Sequence, residues 1–381
     1  MSKYTTILIT GGAGFIGSSI ALALLNAGHT VTVLDNLSTQ IHGKNPELSY
    51  LYSRIKDRVR FIHGDVTSRI DWEKALINQD AVIHLAAETG TGQSMYEVEK
   101  YTRVNIGGTA LLLDILANKN TSVKKIIIAS SRAIYGEGKY HCAEHGDVYP
   151  NERTKTNILS GVYECVCPFC GKPVEIKPTD ESSKIHPASI YGITKQVQEQ
   201  MALLFCKSIN LPVVIYRYQN VYGPGQSLKN PYTGILSIFS TNLIHHQPIH
   251  IFEDGKETRD FVYIADVVAA TILGIENDDA NYEIFNVGSG VGTTVVEVAT
   301  LLKKLYRSQS VVTVTGNFRV GDIRHNFADI SKAYTVLGFE PKYHFAKGIK
   351  LFAEWVQTEK IEKGNSYQLS LSEMKNRGLY A

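Results

Sequence analysis

A tyrosine and a lysine lie four residues apart in the segment YGITK, at positions 191 and 195. On a helix, this spacing places both side chains on one face. A phenol with a pKa of about 10 is a poor base at neutral pH, but a neighbouring ammonium favours the phenolate and lowers that pKa. Tyr191 beside Lys195 could therefore take the proton of a substrate hydroxyl. Ser131, in the segment SSRAIYG, could hydrogen-bond the same hydroxyl. Taken alone, the pair also fits an ordinary surface contact.

A glycine-rich turn, TGGAGFIG, follows the first predicted strand and opens a helix. Gly11 permits a tight turn, Gly14 lets the backbone approach a pyrophosphate, and Gly17 lets the helix pack closely on the strand. The N–H groups of that helix then face the phosphates. Asp35 ends the next strand, about 20 residues further on, where a carboxylate can accept from an adenosine ribose. The carboxylate would repel a 2′-phosphate, so the sequence favours NAD over NADP; the alternative is a plain glycine turn with a capping aspartate.

Two other strand ends fit the same dinucleotide. Asp65, in the segment GDV, could accept from the adenine amino group, although an aspartate there also fits a turn or a helix cap. The segment LAA at positions 85–87 could pass beside the second ribose.

Short β-branched runs alternate with helical stretches from Thr6 to Ala129, an order typical of a parallel sheet with helices on both faces. We therefore predict an α/β protein with a doubly wound Rossmann sheet and a smaller C-terminal substrate-binding lobe. The predicted Rossmann domain covers residues 1–218 and about 261–290, and the lobe covers 219–260 and 291–360. A Cys-rich insertion spans 137–181, and the polar tail, 361–381, is expected to be partly disordered.

Composition excludes several classes of protein. Of 381 residues, 44% are hydrophobic and 20% charged, and the formal net charge is +2, so neither disorder nor a nucleic-acid-coating surface is indicated. No apolar run is long enough to cross a bilayer as a helix, which excludes membrane spans. The chain enters its first strand without a secretory leader. We expect a cytoplasmic protein without nucleic-acid or membrane partners.

Four of the five cysteines lie within the Cys-rich insertion. Cys167 and Cys170 form a C-P-x-C-G knuckle, and Cys142 and His145 supply a second pair at C-x₂-H spacing, which together predict a tetrahedral Cys₃His zinc site. Cys165 is a competing ligand that could replace His145, and unliganded thiols are the alternative. Because the insertion has little apolar content, metal ligation would supply its ordering free energy. Cys206 and His84 are predicted core residues.

The combination of TGGAGFIG, HLAA, SSRAIYG, YGITK, NVYGPG and RDFVYIADV resembles the extended short-chain dehydrogenases/reductases of the nucleotide-sugar epimerase/dehydratase group. The resemblance implies bound NAD and a nucleotide-diphosphate sugar substrate. It makes Ser131, Tyr191 and Lys195 the catalytic set. The implied cofactor contacts, besides Tyr191 and Lys195, are Gly11, Gly14, Phe15, Ile16, Gly17, Asp35, Asn36, Asp65, Val66, Leu85, Ala86, Ala87, Asn105 and Ser130. The implied substrate contacts are Glu88, Thr89, Arg132, Asn220 and the two diphosphate-binding arginines, Arg259 and Arg319.

One departure from the family pattern narrows the reaction. Members that eliminate water carry an Asp-Glu pair directly after the serine, whereas this chain has Arg132 and Ala133. Because Ala133 has no proton to exchange, 4,6-dehydration is not expected. The resemblance then implies a C4 epimerase, in which hydride moves to NAD, a 4-ketosugar forms, and hydride returns to the opposite face.

The layout of the insertion resembles that of bacterial dTDP-L-rhamnose 4-epimerases, which implies conversion of dTDP-L-rhamnose to dTDP-6-deoxy-L-talose. The alternatives are a 4-epimerase of UDP-sugars, of the galactose/glucose or uronic acid type, and a non-catalytic NAD-binding protein whose zinc-bearing insertion binds a partner. Family analogy also implies a homodimer through a four-helix bundle formed by Asn105–Ala117 and Tyr191–Ile209.

Overall fold

The computed structural model describes residues 3–228, 230, 234–359, 361 and 366–380. Its strands, in chain order, are β1 (Thr6–Thr10), β2 (Thr30–Asp35), β3 (Arg60–His63), β4 (Ala81–His84), β5 (Lys125–Ser131), β6 (Tyr140–Cys142), β7 (Gly146–Val148), β8 (Glu175–Ile176), β9 (Val213–Tyr218), β10 (Asn220–Tyr222), β11 (Ile249–Ile251), β12 (Thr258–Tyr263), β13 (Glu283–Val287), β14 (Gly292–Thr294), β15 (Val312–Val314) and β16 (His325–Asn326).

The α-helices are α1 (Phe15–Asn26), α2 (Thr39–His42), α3 (Tyr50–Ser53), α4 (Arg69–Ala75), α5 (Thr91–Ser94), α6 (Val98–Tyr101), α7 (Gly108–Asn118), α8 (Lys155–Leu159), α9 (Ile190–Ser208), α10 (Ile235–Ile244), α11 (Ile264–Glu276), α12 (Val295–Leu305), α13 (Ser331–Leu337), α14 (Phe345–Thr358) and α15 (Ser366–Asn376). A π-helical turn, Thr102–Gly107, precedes α7, and 3₁₀ turns lie at Pro46–Leu48, Arg132–Tyr135 and Asp278–Ala280.

The central sheet has seven strands in the order β13-β9-β5-β4-β1-β2-β3, and every neighbouring pair is parallel. Successive residues of β1 enter different cores: Ile7 and Ile9 pack with α1 and α11 on one face, and Leu8 packs with α4 and α7 on the other. Helices thus cover both faces, and α9 completes the second face through Ala202 and Cys206. The predicted Rossmann sheet is confirmed. Its strand order reverses between β1 and β4, the point at which such sheets bind ligands.

The smaller lobe has its own core. Helices α10, α12 and α14 enclose Phe239, Leu302 and Phe352 against a small sheet. That sheet has the order β10-β12-β14, with β16 beside β12, while β11 and β15 form a separate parallel pair.

The Cys-rich insertion forms a three-stranded antiparallel sheet in the order β7-β6-β8. Ion pairs fasten it to the lobe. Arg153 bonds Glu253 at 2.6 Å and Glu137 at 3.3 Å, with all three side chains at most 4% exposed. The fully buried Arg324, from the C-terminal half, bonds Glu164 of the insertion at 2.5 Å. Paired charges therefore attach the insertion to the lobe, beside a small buried cluster of its own that includes Tyr140 and Val148.

The described part of the tail contains a helix. Residues 366–376 form α15, and Ser370 and Met374 are each only 3% exposed. This described stretch is thus helical, and Met374 contacts another part of the chain at Gly92, while partial disorder of the tail stays a prediction. No helix within the described ranges has the length and apolarity needed to cross a bilayer.

Candidate functional site

Two cavities adjoin at the carboxyl edge of the central sheet. The larger, about 430 Å³, lies above the glycine-rich turn, and the smaller, about 290 Å³, lies between the sheet and the lobe. Both walls include Ser131, Tyr191 and Gln219. A molecule in the first cavity and a molecule in the second would therefore meet at Ser131 and Tyr191.

Glycines shape the floor of the larger cavity. Gly11 has a φ of +66°, and a Cβ there would lie 2.8 Å from the amide nitrogen of Ala86. A Cβ on Gly17 would lie 2.2 Å from the carbonyl oxygen of Gly11. The chain thus needs glycine at both places, one for the turn and one for the close approach of α1.

Asp35 lies at the end of β2, where it lines the cavity and accepts hydrogen bonds from the amide groups of Ala13 (3.0 Å) and Leu37 (2.8 Å). Burial raises the pKa of its carboxyl, and the two backbone bonds oppose that rise. A glycine-rich turn fits the pyrophosphate of NAD, and a carboxylate at the end of the neighbouring strand fits its ribose.

Most of the predicted cofactor contacts lie together in the wall of this cavity. They are Gly11, Gly14, Phe15, Ile16, Gly17, Asp35, Asn36, Val66, Leu85, Ala86, Ala87, Ser130, Tyr191 and Lys195. Glu88 and Thr89, predicted as substrate contacts, line the same cavity.

Asp65 and Asn105 lie outside this wall. The Asp65 carboxylate accepts from Asn36 Nδ2 (3.0 Å) and from Thr67 Oγ1 (2.7 Å), so the structure uses it to hold a turn. These bonds agree with the turn interpretation, and the contact of Asp65 with adenine stays a prediction.

The resemblance implies that Asn105 touches the cofactor, but its amide is occupied inside the protein. It accepts from the backbone N–H of Glu88 (2.8 Å) and donates to the Glu88 carbonyl (3.1 Å) and to Thr194 Oγ1 (2.9 Å). The side chain is fully buried. Asn105 therefore fixes the loop after β4 to α9, and its contact with the cofactor stays a prediction.

The catalytic candidates are held by two local caps. Ser189 caps α9 by accepting from the Gly192 amide at 3.1 Å, and this starts the helix that carries Tyr191 and Lys195. Ser131 Oγ accepts from the Ala133 amide at 3.2 Å, where β5 passes into a 3₁₀ turn. The side chains of Ser131 and Tyr191 line both cavities where these adjoin.

The electrostatics at Tyr191 differ from the sequence argument. Desolvation raises the pKa of the phenol, whereas the bond to Ser131 and the positive charge of Arg132 lower it. Lys195 instead donates a hydrogen bond from Nζ to the Ala129 carbonyl at 2.8 Å, and burial lowers the pKa of its ammonium to about 7. Arg132 is thus a second positive charge near Tyr191, and the role predicted for Lys195 stays a prediction.

Three arginines, Arg132, Arg259 and Arg319, line the smaller cavity. Arg259 is fixed by backbone carbonyls, with Nη2 donating to Ile323 at 2.7 Å. Arg319 lies over the ring of Phe252, 5.2 Å from its centroid. Desolvation and the neighbouring Arg259 lower the pKa of Arg132 to about 10. Three guanidinium groups at one cavity favour a ligand with several negative charges.

Several polar atoms in this cavity have no partner within the described structure. Both amide atoms of Gln219, Oδ1 of Asn220 and Oε2 of Glu257 are buried without a hydrogen bond. Such atoms are costly unless a ligand or water satisfies them. Gln219 and Glu257 were missed by the sequence argument, since neither stands in a pattern that distinguishes it from a loop residue; Asn220 was predicted.

A separate cluster lies in the Cys-rich insertion. The ligand atoms of Cys142, His145, Cys167 and Cys170 all lie within 4.8 Å of one another. The Sγ of Cys142 lies 3.6 Å from His145 Nδ1 and 3.8 Å from Cys170 Sγ. Metal–sulfur distances of about 2.3 Å in a tetrahedron imply edges of about 3.8 Å. The four groups therefore have the spacing of a tetrahedral ligand set.

Cys165 does not belong to that cluster. It is 4% exposed within the core of the insertion, where burial raises the pKa of its thiol. His145 is thus the fourth member of the group, and the competing interpretation is not supported. Cys206 and His84 are buried as predicted, with the His84 ring between Thr10 Oγ1 (2.7 Å) and Thr109 Oγ1 (3.0 Å).

The chain matches the sequence profile of the NAD dependent epimerase/dehydratase family over residues 7–156 and 162–288. It is 36% identical to a dTDP-L-rhamnose 4-epimerase of Burkholderia thailandensis over 355 residues, covering 93% of this chain and 95% of that protein. It is 30% identical to a putative UDP-glucose 4-epimerase of Methanocaldococcus jannaschii, covering 92% of this chain and 98% of that protein.

Solved structures agree with these matches. A UDP-glucose 4-epimerase from Thermotoga maritima with UDP-glucose has a TM-score of 0.73 at 32% identity, covering 93% of this chain and 99% of that one. A UDP-glucuronic acid 4-epimerase from Bacillus cereus, in complex with UDP-glucuronic acid and NAD, has a TM-score of 0.74 at 26% identity with the same coverage. The chain belongs to the NAD-dependent epimerase/dehydratase family, and it is an enzyme of the epimerase class.

Proposed function

We propose that this enzyme is an NAD-dependent nucleotide-sugar 4-epimerase. The observation that carries the proposal is the position of Ser131 and Tyr191, which stand in the wall between a dinucleotide-shaped cavity and an arginine-rich cavity. A sugar whose diphosphate binds the arginines would present its ring to both side chains. Ala133 follows in the same cavity and offers no acid for elimination.

The chain's own residues account for binding and proton transfer. Arg259 and Arg319 would hold the diphosphate, and Gln219 and Asn220 would satisfy their free amide atoms on sugar hydroxyls. Tyr191 as phenolate would take the proton of the C4 hydroxyl, guided by Ser131, and return it in the second half of the reaction. The glycine-rich turn and Asp35 would hold NAD, which when bound would supply reversible hydride acceptance at C4 of the sugar. Lys195, fixed on Ala129, would bind a ribose hydroxyl of the dinucleotide.

We infer that dTDP-L-rhamnose is the substrate, with dTDP-6-deoxy-L-talose as product. Support comes from the resemblance of the Cys-rich insertion to that of this subgroup and from the 36% identity to the Burkholderia thailandensis enzyme. UDP-sugar epimerisation is the second candidate, because relatives named for UDP-glucose and UDP-glucuronate also match most of the chain.

A panel of dTDP- and UDP-sugars, analysed by NMR of the products, tests both candidates. We expect C4 inversion of dTDP-L-rhamnose at the highest kcat/KM. Faster inversion of a UDP-hexose or UDP-hexuronate would replace the first substrate by the second. Products of elimination alone would contradict the argument from Arg132 and Ala133.

We further propose that Cys142, His145, Cys167 and Cys170 bind one structural zinc ion. The group has four protein ligands, which leaves no open position for catalysis, and thiolate ligation fits the reducing cytoplasm expected from the sequence. Metal analysis should find about one zinc per chain. Cys167→Ser should lose the metal and lower the melting temperature, while Cys165→Ser, outside the cluster, should retain the metal. Equal zinc content in both variants would contradict the assignment.

Finally, we propose a homodimer in which α7 and α9 of two copies form a four-helix bundle. Leu204 and Ile193, on α9, are 77% and 43% exposed, and apolar side chains on one outward helix favour association. Light scattering should give twice the chain mass, and Leu204→Glu should yield monomers. A monomeric wild-type protein would remove this proposal.

A further inference from the structure

The C-terminal tail forms part of the wall of the arginine-rich cavity. Tyr367, near the start of α15, lines this cavity together with Arg319, Asp322 and Glu257. Burial raises the pKa of the Tyr367 phenol, while the charge of Arg319 lowers it, so the two side chains are electrostatic neighbours. The Tyr367 hydroxyl is thus protonated at neutral pH and can donate a hydrogen bond.

The tail is attached to both halves of the molecule. On the Rossmann side, Arg377 lies over the ring of Tyr96, 4.3 Å from its centroid, and Met374 lies against Gly92. On the lobe side, the Val320 amide donates to the Leu379 carbonyl at 3.0 Å. The tail therefore connects the Rossmann domain to the lobe beside the arginine-rich cavity.

The same tail also supports Arg319. Tyr380 pairs with the backbone of Arg319, and its hydroxyl accepts from Asn317 Nδ2 at 2.7 Å. Its ring lies 5.4 Å from that of Phe252, on which the Arg319 guanidinium stacks. The position of this guanidinium therefore depends on residues at the very end of the described chain.

We propose that residues 366–380 complete the substrate site, with Tyr367 as a substrate-contact residue and Tyr380 as a positioning residue for Arg319. The proposal rests on the proposed epimerase function for one consequence: the 4-ketosugar must turn over inside the cavity without leaving it. The tail would keep the diphosphate bound during that turnover. Each ketosugar that escaped would leave its C4 hydride on NAD⁺, giving one reduced dinucleotide, and its hydroxyl proton on Tyr191.

The decisive experiment measures nucleotide binding without turnover. A chain that ends before Ser366 is titrated with dTDP and with UDP by calorimetry, beside wild type. We expect the affinity for whichever diphosphate binds wild type better to fall on the order of tenfold or more, because Arg319 loses its support and Tyr367 is removed. Unchanged affinity would overturn the proposal.

Point variants separate the contact from the support and guard against misfolding. Tyr367→Phe should weaken binding a few-fold through loss of one hydroxyl, and Tyr380→Ala should weaken it more. Leu369→Ala, on the same helix but 67% exposed, is the matched control and should bind as wild type does. If Tyr367→Phe and Tyr380→Ala both match this control, the tail does not serve the site.

A second readout follows the product. During turnover, the truncated chain should release ketosugar, detected by a carbonyl-trapping reagent, together with an equal amount of reduced dinucleotide. Normal retention by the truncated chain would contradict the closing role. Failure of the epimerase assignment alone would appear as no inversion by wild type with the dTDP and UDP affinities still dependent on the tail.

Discussion

The two cavities that meet at Tyr191 are built by different means. The floor of the dinucleotide cavity is the glycine-rich turn, whose shape depends on glycines such as Gly11 and Gly17. The sugar-diphosphate cavity is lined by polar side chains from the sheet edge, the lobe and the tail, among them Arg132, Glu257 and Tyr367. The glycine-rich turn is one continuous segment, whereas the polar side chains of the second cavity come from several distant segments. The first should tolerate few substitutions, and the second should be adjustable.

The largest expected effect lies where the cavities meet. Tyr191→Phe removes the only group we assign to proton transfer at the sugar, so kcat should fall on the order of 10²- to 10⁴-fold. Binding of NAD and of the nucleotide diphosphate should change little. Tyr334→Phe, at a site 61% exposed, serves as the control. Substantial epimerisation by the Tyr191 variant would show that Tyr191 does not transfer the proton.

A substitution in the glycine-rich turn of the dinucleotide cavity should weaken NAD binding strongly. In Gly17→Ala the added methyl group would lie 2.2 Å from the Gly11 carbonyl oxygen, so the turn must shift. If overpacking of about 1–3 kcal/mol falls on the NAD-bound state, it corresponds to a fall in NAD affinity of about 5- to 140-fold. Gly107→Ala, where a Cβ comes no nearer than 3.9 Å to another atom, should bind NAD normally. Similar NAD affinities for both variants would contradict the distinction between the cavities.

In the sugar-diphosphate cavity, Arg132→Gln should change the pH dependence of the reaction rate and leave the fold intact. Arg132 lowers the pKa of Tyr191, so its removal raises that pKa and leaves less phenolate at neutral pH. The rate at pH 7 should therefore fall, and it should be regained as the pH is raised. The exposed Arg58→Gln should show no shift. A loss of rate that is equal at every pH would mean that the charge of Arg132 does not act on Tyr191.

The smallest effect concerns Glu257. Desolvation raises the pKa of its carboxyl to about 7, with Glu253 adding to the rise and Arg259 opposing it. Below that pH the group is neutral beside an anionic ligand; above it, the carboxylate repels the diphosphate. KM should therefore rise a few-fold as the pH passes upward through about 7. Glu257→Gln should flatten that rise, and an unchanged KM profile in this variant would exclude Glu257 as its source.

The difference between the cavities also explains which parts were predictable from sequence. The strands, the glycine turn and Asp35 depend on residues close together in the chain, so local pattern was enough. Lys195 was placed correctly on the face that carries Tyr191, but its ammonium bonds Ala129, a contact determined by the distance between α9 and β5. Spacing along one helix carries no information about the strand packed beneath it.

The contacts of Asn105 and Tyr367 also could not be predicted from the sequence. Asn105 is a polar residue, and its amide is hydrogen-bonded to Glu88 and Thr194 inside the protein. Tyr367 lies in a polar tail, far from Tyr191 along the chain, and still lines the same cavity. The contacts of these two residues cannot be predicted from residue type, because each contact is to a residue that only folding brings near.

The ion pairs that hold the Cys-rich insertion also bear on its transfer between proteins. Although this segment is contiguous in the chain, Arg324 and Glu253, which secure it, are encoded well downstream of its end. Transplanting the insertion alone into a relative with a short connection would leave Arg153 without Glu253 and Glu164 without Arg324 at a new boundary. A stable chimaera would also need an arginine at the position of Arg324 and a glutamate at that of Glu253. The insertion and the surface that it contacts would therefore have to be transferred together.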